Sequence, residues 1–267
     1  MKNPFLNRKK KHGIQQESVA STIGSRRPFA NAEAYKRLRT NVLFSFSDDR
    51  KSHVIGVTSA MANEGKSTTA INLAYDMMKA GKRVLLIDAD MRLSCIAMNL
   101  EIHRSPGLSN ILAGNDNGEN IVQRSPVQDH LPVISCGDIP PNPTELLSSN
   151  RMNIMLEIWK EQYEYIIIDL PPVTEVADAL IVSKLTDGII VVVRQDYTDQ
   201  RLLADIIQQL RHSESNIIGF VMTCAPNETK YYKYKYRKYH ARKYGYGCYS
   251  AYEQAAQEGE KQDDVSV

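Results

Sequence analysis

Short apolar runs alternate with stretches of helical spacing along most of the chain. Six runs have the length and composition of buried strands: Val54–Thr58, Val84–Ile87, Leu131–Ser135, Tyr165–Ile168, Gly188–Val193 and Ile217–Thr223. Longer segments between them place apolar residues three or four positions apart: Ser67–Ala80, a segment with Met152, Met155, Leu156 and Trp159 on one face, and Thr198–Arg211. Strands that alternate with helices predict an α/β fold, with a mostly parallel sheet and helices on both faces.

Three further segments have weaker patterns. Ala30–Phe46 carries an apolar stripe, which predicts an amphipathic helix that packs on the domain; a helix that contacts another subunit is the alternative. The stripe consists of Tyr35, Leu38, Val42 and Phe46. Pro106–Ala113 predicts a short helix. We expect Thr144 to cap another helix after a proline-rich loop, because threonine hydroxyls accept hydrogen bonds from helix N-termini.

The two ends of the chain differ in composition from the middle. Residues 1–28 are polar and basic, which predicts a disordered arm. Residues 29–226 hold the strand and helix pattern and predict one domain, and residues 227–267 form a tyrosine-rich tail. The net charge of +2 is uninformative as a total, but the basic runs at both ends have anionic lipid, nucleic acid or an acidic partner as functional alternatives to solvated arms. The division therefore predicts an arm, a domain and a tail.

Cysteine spacing and hydropathy restrict where this protein works. Its four cysteines, Cys95, Cys136, Cys224 and Cys248, include no Cys-x-x-Cys pair, which favours reduced thiols over a disulfide framework or a zinc site. No apolar run approaches the roughly 20 residues that span a bilayer, and the N-terminus lacks the apolar core of a signal peptide. We therefore expect a cytoplasmic protein whose membrane association is peripheral.

A phosphate-binding loop lies between the first apolar run and the helix after it. Residues 59–68 read Ser-Ala-Met-Ala-Asn-Glu-Gly-Lys-Ser-Thr and fit Ala-x-x-x-x-Gly-Lys-Ser. The backbone N–H groups of such a loop bind phosphate oxygens, Lys66 binds the β- and γ-phosphates, and the Ser67 hydroxyl can ligate Mg²⁺. We therefore predict a P-loop NTPase fold. Its nucleotide-binding residues are Asn63, Glu64, Gly65, Lys66, Ser67 and Thr68.

Three carboxylates follow apolar strands of the same predicted sheet. Asp88 and Asp90 come after one strand, and Asp169 ends another. The carboxyl ends of parallel strands meet at one edge, where open α/β sheets bind ligands. A carboxylate placed like Asp169 holds a Mg²⁺ that bridges phosphates, while one of the pair orients or deprotonates an attacking hydroxyl and the other supports the metal. The pattern predicts a Mg²⁺-dependent nucleoside triphosphatase or kinase.

Nine of the 14 tyrosines lie in the tail, interleaved with lysine and arginine. They are Tyr231, Tyr232, Tyr234, Tyr236, Tyr239, Tyr244, Tyr246, Tyr249 and Tyr252. A disordered low-complexity tail and a segment that binds single-stranded nucleic acid are alternatives. We favour phosphate acceptors, because the eight residues from Thr223 to Tyr231 span roughly 27 Å when extended and can reach a catalytic edge of the same or a neighbouring subunit. Each phosphate adds roughly 1.5 to 2 negative charges, so about four phosphates would offset or reverse the charge of the basic block in the tail.

Together these motifs resemble the bacterial tyrosine kinases of capsule and exopolysaccharide synthesis, from about Ala30 to the end of the chain. The resemblance rests on Glu64–Thr68 (Walker A), Val84–Arg92 with Asp-x-Asp-x-Arg (Walker A′) and Ile166–Pro172 with Asp-x-Pro-Pro (Walker B). Relatives outside this family share those three motifs. The Pro-Pro-Asn-Pro-x-Glu-Leu-Leu segment at residues 140–147 and the tyrosine-rich tail are more specific.

The resemblance implies ATP and Mg²⁺ as cofactors, and autophosphorylation of the tail tyrosines between neighbouring subunits of a ring. It implies four catalytic residues, Lys66, Asp88, Asp90 and Arg92, and three magnesium ligands, Ser67, Asp90 and Asp169. Asp88 would contact the acceptor hydroxyl. In the two-chain form of the family, a transmembrane adaptor of the polysaccharide co-polymerase type activates a cytosolic catalytic chain. We therefore expect this adaptor, a phosphotyrosine phosphatase and a homo-oligomer as partners, no nucleic acid, and a location at the inner face of the membrane.

The chain departs from the family's pattern in the first helix, after the last strand, and after Arg92, where Leu93-Ser94 replaces the usual Arg-Pro. The helix that forms the ring usually reads Glu-x-x-Arg-x-x-Arg, and here the three residues are Glu33, Lys36 and Arg39. We assign the oligomer interface to them, although lysine lacks the bidentate fork of arginine. Thr223 stands where a base-contacting asparagine is expected after the last strand.

Two other functions are compatible with the loop. A partitioning or cell-division ATPase of the deviant Walker type shares the fold, but such proteins carry a signature lysine where this chain has Met61, and they have no use for a tyrosine cluster. A regulatory subunit that binds ATP without transferring phosphate is the other. The presence of Asp88, Asp90 and Asp169 argues against it.

Overall fold

Helices and strands alternate along the part of the chain that the structure describes. The structure, a computed structural model, describes residues 23–24, 27–46, 50–116, 118 and 121–225. In chain order they form α1 (Phe29–Ser45), β1 (His53–Ser59), α2 (Lys66–Lys79), β2 (Val84–Asp88), α3 (Ile96–Asn99), α4 (Leu108–Ala113), β3 (Gln123–Arg124), β4 (Pro132–Ile134), α5 (Pro143–Leu147), α6 (Asn150–Gln162), β5 (Tyr165–Asp169), α7 (Asp178–Ser183), β6 (Gly188–Arg194), α8 (Gln200–His212) and β7 (Ile217–Thr223).

The strands form one sheet in the order β3-β4-β2-β5-β1-β6-β7. Neighbouring strands are parallel except β3 and β4, which are antiparallel. Every residue of β1, β2 and β5 is buried, as expected for parallel strands that are covered on both faces. The predicted α/β fold with a mostly parallel sheet is therefore confirmed.

Two hydrophobic layers enclose the sheet. On one face, Ile71 of α2 and Ile96 of α3 belong to a buried cluster with Leu86 of β2, and Val42 of α1 completes it. On the other face, a second cluster joins residues of α4, α5, α6, α7 and α8, including Trp159, to the opposite sides of the same strands. Helices thus lie on both faces, as predicted. The carboxyl ends of the central strands emerge from a close-packed core, which fixes their positions.

Most predicted elements are confirmed, with boundaries that differ by one or two residues. The prediction missed α3, β3 and α7, which have six residues or fewer and are too short to show a period. The capping role predicted for Thr144 is wrong. Asn142 is the N-cap, Pro143 occupies the first helical position, and the Thr144 hydroxyl donates to Asp178 Oδ1 at 2.6 Å. Proline sets φ for a first helical turn, so the helix begins two residues earlier than expected.

The last residues of the predicted N-terminal arm pack on the domain. Ile23 is buried, the backbone N–H of Gly24 donates to Asn72 Oδ1 at 2.7 Å, and Arg27 forms a buried ion pair with Asp76 of α2. The prediction of disorder is therefore wrong for these arm residues. The rest of the arm, apart from Pro28, lies outside the described residues.

The chain divides into two compact units, Met1–Thr223 and Cys224–Val267. Of the second unit, the structure describes Cys224 and Ala225 alone, so the nine tail tyrosines lie outside the described residues. Within the described ranges, no helix is both long and apolar enough to cross a membrane. The described cysteines, Cys95, Cys136 and Cys224, are free thiols, as predicted.

Candidate active site

The phosphate-binding loop joins the carboxyl end of β1 to the start of α2. Asn63 and Gly65 have positive φ angles of 63° and 91°, and Gly65 is the N-cap of the helix. Asparagine tolerates this left-handed backbone and glycine adopts it freely. A Cβ at Gly65 would also lie 3.3 Å from Thr223 Cγ2. The loop therefore presents backbone N–H groups and the positive end of α2 in a geometry that suits phosphate oxygens.

Side chains from distant segments hold the loop in this shape. The Glu64 carboxylate is buried, and it accepts hydrogen bonds from Met61 N at 3.0 Å and from the Thr198 hydroxyl. The Thr223 hydroxyl donates to the Glu64 carbonyl at 2.7 Å, and Arg194 Nη1 donates to the Asn63 carbonyl at 3.0 Å. Sequence patterns did not identify Arg194 or Thr198. The side chain of Glu64 thus shapes the loop from within.

Lys66 lies among carboxylates. Its Nζ atom is 2.8 Å from Asp90 Oδ2, 3.5 Å from Asp169 Oδ2 and 3.3 Å from Ser67 Oγ. Burial alone would lower the pKa of Lys66, but Asp169 and Asp90 outweigh it and raise the pKa above its ordinary value. The ammonium therefore stays charged beside the phosphate-binding loop.

The three predicted aspartates lie together at the carboxyl edge of the sheet. Asp88 and Asp169 are directly paired in the register of β2 and β5. Burial and Asp169 raise the pKa of Asp88 to about 8, against a hydrogen bond donated by the Ser94 hydroxyl. Burial also raises the pKa of Asp169, against Lys66. The pKa of Asp90 is lowered, because its ion pair with Lys66 outweighs burial. One edge thus holds a carboxyl group that favours its proton and a carboxylate that stays ionised.

The donor atoms at this edge fit Mg²⁺ bound together with phosphate. Asp169 Oδ1 is buried and has no hydrogen-bond partner among the described residues, and the Ser67 hydroxyl donates to Asp169 Oδ2 at 2.5 Å. The described part of the chain has no group of three or more His, Cys, Asp or Glu side chains that could hold a metal ion. Mg²⁺ keeps several waters and takes one or two carboxylates plus substrate phosphates, so such a group is not required. Ser67, Asp90 and Asp169 match that need.

Arg92 is tied to a residue that sequence patterns did not identify. Its Nε atom donates to Asp178 Oδ2 at 3.2 Å, and its backbone N–H donates to Asp90 Oδ1 at 3.3 Å. Asp178 is buried at the start of α7. The contact places Arg92 at the same edge of the sheet as Asp90. Its side chain remains 44% exposed, so it is accessible to a ligand.

The predicted oligomer interface lies on α1. Lys36 and Glu33 form an exposed ion pair at 2.7 Å. Arg39 is half-buried, and its Nη1 atom donates to the Asp76 carbonyl of α2 at 3.3 Å. Two of the three residues are therefore available to another molecule, while the third also contacts its own domain.

Known proteins are similar to this chain in both sequence and fold. A family profile described as an AAA domain matches residues 52–218. Tyrosine-protein kinase YwqD of Bacillus subtilis (strain 168) is 38% identical over 192 residues, which cover 72% of this chain and 80% of YwqD. Putative tyrosine-protein kinase EpsB of Ralstonia solanacearum is 36% identical over 76% of this chain and 27% of its own length. The solved kinase domain of Escherichia coli tyrosine kinase ETK is 27% identical with a TM-score of 0.71, over 83% of this chain and 87% of that domain. With the P-loop and the aspartates in place at one sheet edge, these matches show that the chain belongs to the bacterial tyrosine-protein kinases.

Proposed function

We propose that this chain is an ATP-dependent protein-tyrosine autokinase that phosphorylates the tyrosines of its own tail. The observation that carries the proposal is the juxtaposition of Lys66, Asp90 and Asp169 at the phosphate-binding loop with Asp88 beside them in strand register. A nucleotide-binding subunit without transferase activity would need a phosphate clamp. It would not need a second buried carboxyl group such as Asp88 beside that clamp.

Each residue has a distinct task in the proposed transfer. The loop N–H groups and Lys66 bind the phosphates of ATP, and Ser67, Asp90 and Asp169 provide the oxygens for Mg²⁺. The bound Mg²⁺ neutralises charge on the β- and γ-phosphates. In its ionised form, Asp88 accepts the proton of the tyrosine hydroxyl as the tyrosine oxygen bonds to the γ-phosphorus and the bond to the ADP oxygen breaks. Its pKa of about 8 lies closer than that of an ordinary carboxyl group to the phenol pKa of about 10.

The acceptors are the nine tail tyrosines, Tyr231 to Tyr252, in a neighbouring copy of the chain. We assign the contact between copies to Glu33, Lys36 and Arg39 of α1, in a homo-oligomer that forms a ring. In this arrangement the kinase domain of residues 29–226, which follows the arm of residues 1–28, transfers the phosphate, and the tail of residues 227–267 accepts it.

The proposed cellular role is the control of capsule or exopolysaccharide synthesis at the inner face of the membrane. A transmembrane adaptor activates the chain, and a phosphotyrosine phosphatase resets the tail. The 27% coverage of EpsB supports this arrangement, because in that relative a matching region is part of a much longer protein.

The test separates the ATP-binding site, which donates the phosphate, from the tail tyrosines, which accept it. One full-length variant has all nine tail tyrosines replaced by phenylalanine, and a second carries Lys66→Met. Neither is expected to label itself with the γ-phosphate of ATP, because the first lacks the acceptor tyrosines and the second lacks the lysine that binds ATP. Both signals should be at least about 100-fold below that of the wild type. Mixed together, the first should label the second on tyrosine, as measured by phosphotyrosine blotting and mass spectrometry.

Lys79→Met is the matched control, because Lys79 is an exposed lysine on the same helix that pairs with Asp129. It should label itself like the wild type. Label that persists in the phenylalanine variant, or label on serine, contradicts the proposed acceptor. A mixture that stays unlabelled contradicts transfer between copies.

A further inference from the structure

Asp178 is a buried carboxylate with both oxygens engaged. Its residue is 2% exposed, its Oδ1 atom accepts from the Thr144 hydroxyl at 2.6 Å, and its Oδ2 atom accepts from Arg92 Nε at 3.2 Å. A buried carboxylate is costly unless it is paired and hydrogen-bonded. The arrangement satisfies that requirement with one charged partner and one neutral partner.

The three residues come from three different loops at the carboxyl edge of the sheet. Arg92 follows β2, Thr144 lies in α5 after β4, and Asp178 begins α7 after β5. These strands are neighbours in the order β4-β2-β5. A single carboxylate therefore connects the Asp-x-Asp-x-Arg segment to the Pro-Pro-Asn-Pro segment and to the segment that follows Asp169.

The contact leaves the phosphate-binding edge of Arg92 available. Asp178 engages Nε, while the two Nη groups form no hydrogen bond or ion pair within the described residues. A guanidinium whose Nε is fixed presents a planar pair of N–H donors that matches phosphate oxygens. The backbone N–H groups of Arg92 and Leu93 both donate to Asp90 Oδ1, and Asp90 binds Lys66. Arg92 is thus fixed at its backbone to the phosphate side of the site.

We propose that Asp178, locked by Thr144, is a positioning residue that holds the Arg92 guanidinium against the phosphoryl group during transfer. This inference rests on the proposed kinase function and adds two residues to it. Preorganised donors aimed at developing charge accelerate phosphate transfer because they need no reorganisation during the reaction. The competing explanation is purely structural, since Asp178 also joins α5 to α7.

A double-mutant cycle separates the two explanations. Asp178→Asn keeps the size of the side chain and an oxygen for Thr144, but it cannot accept from Arg92 Nε. Arg92→Gln removes the guanidinium. If Asp178 acts through Arg92, each single variant should lower kcat about 10- to 100-fold, and the double variant should be no slower than Arg92→Gln within about twofold. The affinity for a fluorescent ATP analogue should stay within about threefold in all three, which a collapsed site would not allow.

The rates are measured with Lys66→Met chain as the acceptor, in parallel with ATP hydrolysis without acceptor. Asp187→Asn is the matched control: Asp187 also pairs with an arginine, Arg50, but it precedes β6 at the opposite edge of the sheet. It should transfer phosphate at the wild-type rate. Multiplicative losses in the Asp178→Asn, Arg92→Gln double variant, or an unchanged rate in Asp178→Asn, overturn the inference.

Thr144 provides an independent test if Asp178→Asn fails to fold. Thr144→Val removes the hydroxyl at constant shape and should lower kcat about 3- to 10-fold, and Thr144→Ser should restore it. Equal rates in Thr144→Val and Thr144→Ser overturn the locking role. If the wild type hydrolyses ATP but labels no tyrosine, the proposed function fails. The double-mutant cycle can then still be evaluated from the rates of ATP hydrolysis. A wild type that does neither in the presence of its activating adaptor overturns both.

Discussion

Helix α2 carries two buried charge clusters, about 15 Å apart along its axis. The catalytic cluster consists of Lys66, Asp88, Asp90 and Asp169. The anchor cluster consists of Arg27, Asn72 and Asp76, in which Arg27 binds both other side chains and lies 5.6 Å from the ring centroid of Tyr75. Both clusters are buried, and both leave polar atoms without partners among the described residues: Asp169 Oδ1 in the first, and Arg27 Nε and Asp76 Oδ2 in the second.

The clusters differ in charge balance. The anchor cluster sets one cation against one carboxylate. The catalytic cluster sets one cation against three carboxylates. Burial, together with the neighbouring carboxylates, raises the pKa of two of them, Asp88 and Asp169. Like charges in a buried site destabilise the fold unless a ligand or a proton neutralises them. Burial and polar atoms without hydrogen-bond partners occur in both clusters, so they do not distinguish a ligand site from a structural contact. The excess of carboxylates over cations does distinguish the two clusters.

The largest expected effect tests this imbalance through the pH dependence of stability. The folded pKa of Asp88 is about 8 and its ordinary value is 3.8, so the folded state binds this proton more tightly than the unfolded state. The contribution is fully present below about pH 4 and is lost as the pH rises through 8. Asp88→Asn should remove this loss. Relative to the wild type in EDTA without nucleotide, its free energy of unfolding should rise by up to about 1.4 kcal/mol per pH unit between pH 6 and pH 8.

Urea unfolding at pH 6, 7, 8 and 9 measures this difference, which should stop growing above pH 8. Asp76→Asn is the control from the anchor cluster. This substitution should destabilise the fold at every pH, because it weakens the ion pair between Arg27 and Asp76. A variant Asp88→Asn that is less stable than the wild type at pH 8 would contradict the claim that the catalytic cluster carries excess charge.

The second prediction breaks the anchor cluster. Arg27→Met keeps most of the side chain's length but leaves the Asp76 carboxylate buried without its cation. Removing one partner of a buried pair should cost about 3 kcal/mol, which corresponds to a Tm lower by about 6 to 12 °C for a domain of this size. Transfer rate per folded molecule should stay within about twofold of the wild type, because Arg27 contacts no residue of the catalytic cluster.

Scanning calorimetry and the label assay at a temperature where both proteins are folded measure these two quantities. The Tm of Arg27→Lys should lie between those of the wild type and Arg27→Met. Lysine keeps the charge but lacks the guanidinium fork that reaches Asn72 and Asp76 together. An Arg27→Met chain that is as stable as the wild type would show that residues 23–28 do not anchor to the domain.

The catalytic cluster was largely predictable from sequence, and the anchor cluster was not. Lys66, Asp88, Asp90 and Asp169 each follow an apolar run, and the carboxyl ends of parallel strands share one edge, so a local pattern places them together. Arg27 and Asp76 are 49 residues apart and belong to no strand end. The arm was expected to be disordered because its composition is polar and basic, and composition does not reveal one arginine that pairs with Asp76 and Asn72 of a helix.

The same distinction holds within the site. Thr198 contacts Glu64 from 134 residues away, and Asp178 contacts Arg92 from 86 residues away. Such contacts depend on how loops from different strands pack, and no local period encodes them. Thr144 illustrates this directly, because its hydroxyl was expected to cap its own helix and instead binds Asp178 on another one. Sequence therefore predicted which charged groups lie together at the sheet edge, and the structure adds the groups that hold them in place.

The smallest expected effect concerns the exposed pair of Glu33 and Lys36 on α1, which serves as a reference for both buried clusters. The two side chains are 43% and 51% exposed, so Lys36→Ala should change the free energy of unfolding of the dilute chain by about 0.5 kcal/mol or less. Lys160→Ala is the matched control, because Lys160 pairs with Glu157 at the same spacing on α6.

The two variants should differ in assembly. If α1 forms the contact between copies, Lys36→Ala should shift sedimentation velocity profiles towards the monomer, whereas Lys160→Ala should sediment like the wild type. Equal profiles would argue that Lys36 is a solvent-exposed residue with no role in the oligomer. A loss of stability above about 1 kcal/mol would instead mean that this pair resembles the anchor cluster, because an exposed pair of this kind contributes less than that to folding. Measurements of stability and of assembly together therefore distinguish a charged residue that stabilises its own domain from one that contacts a neighbouring subunit.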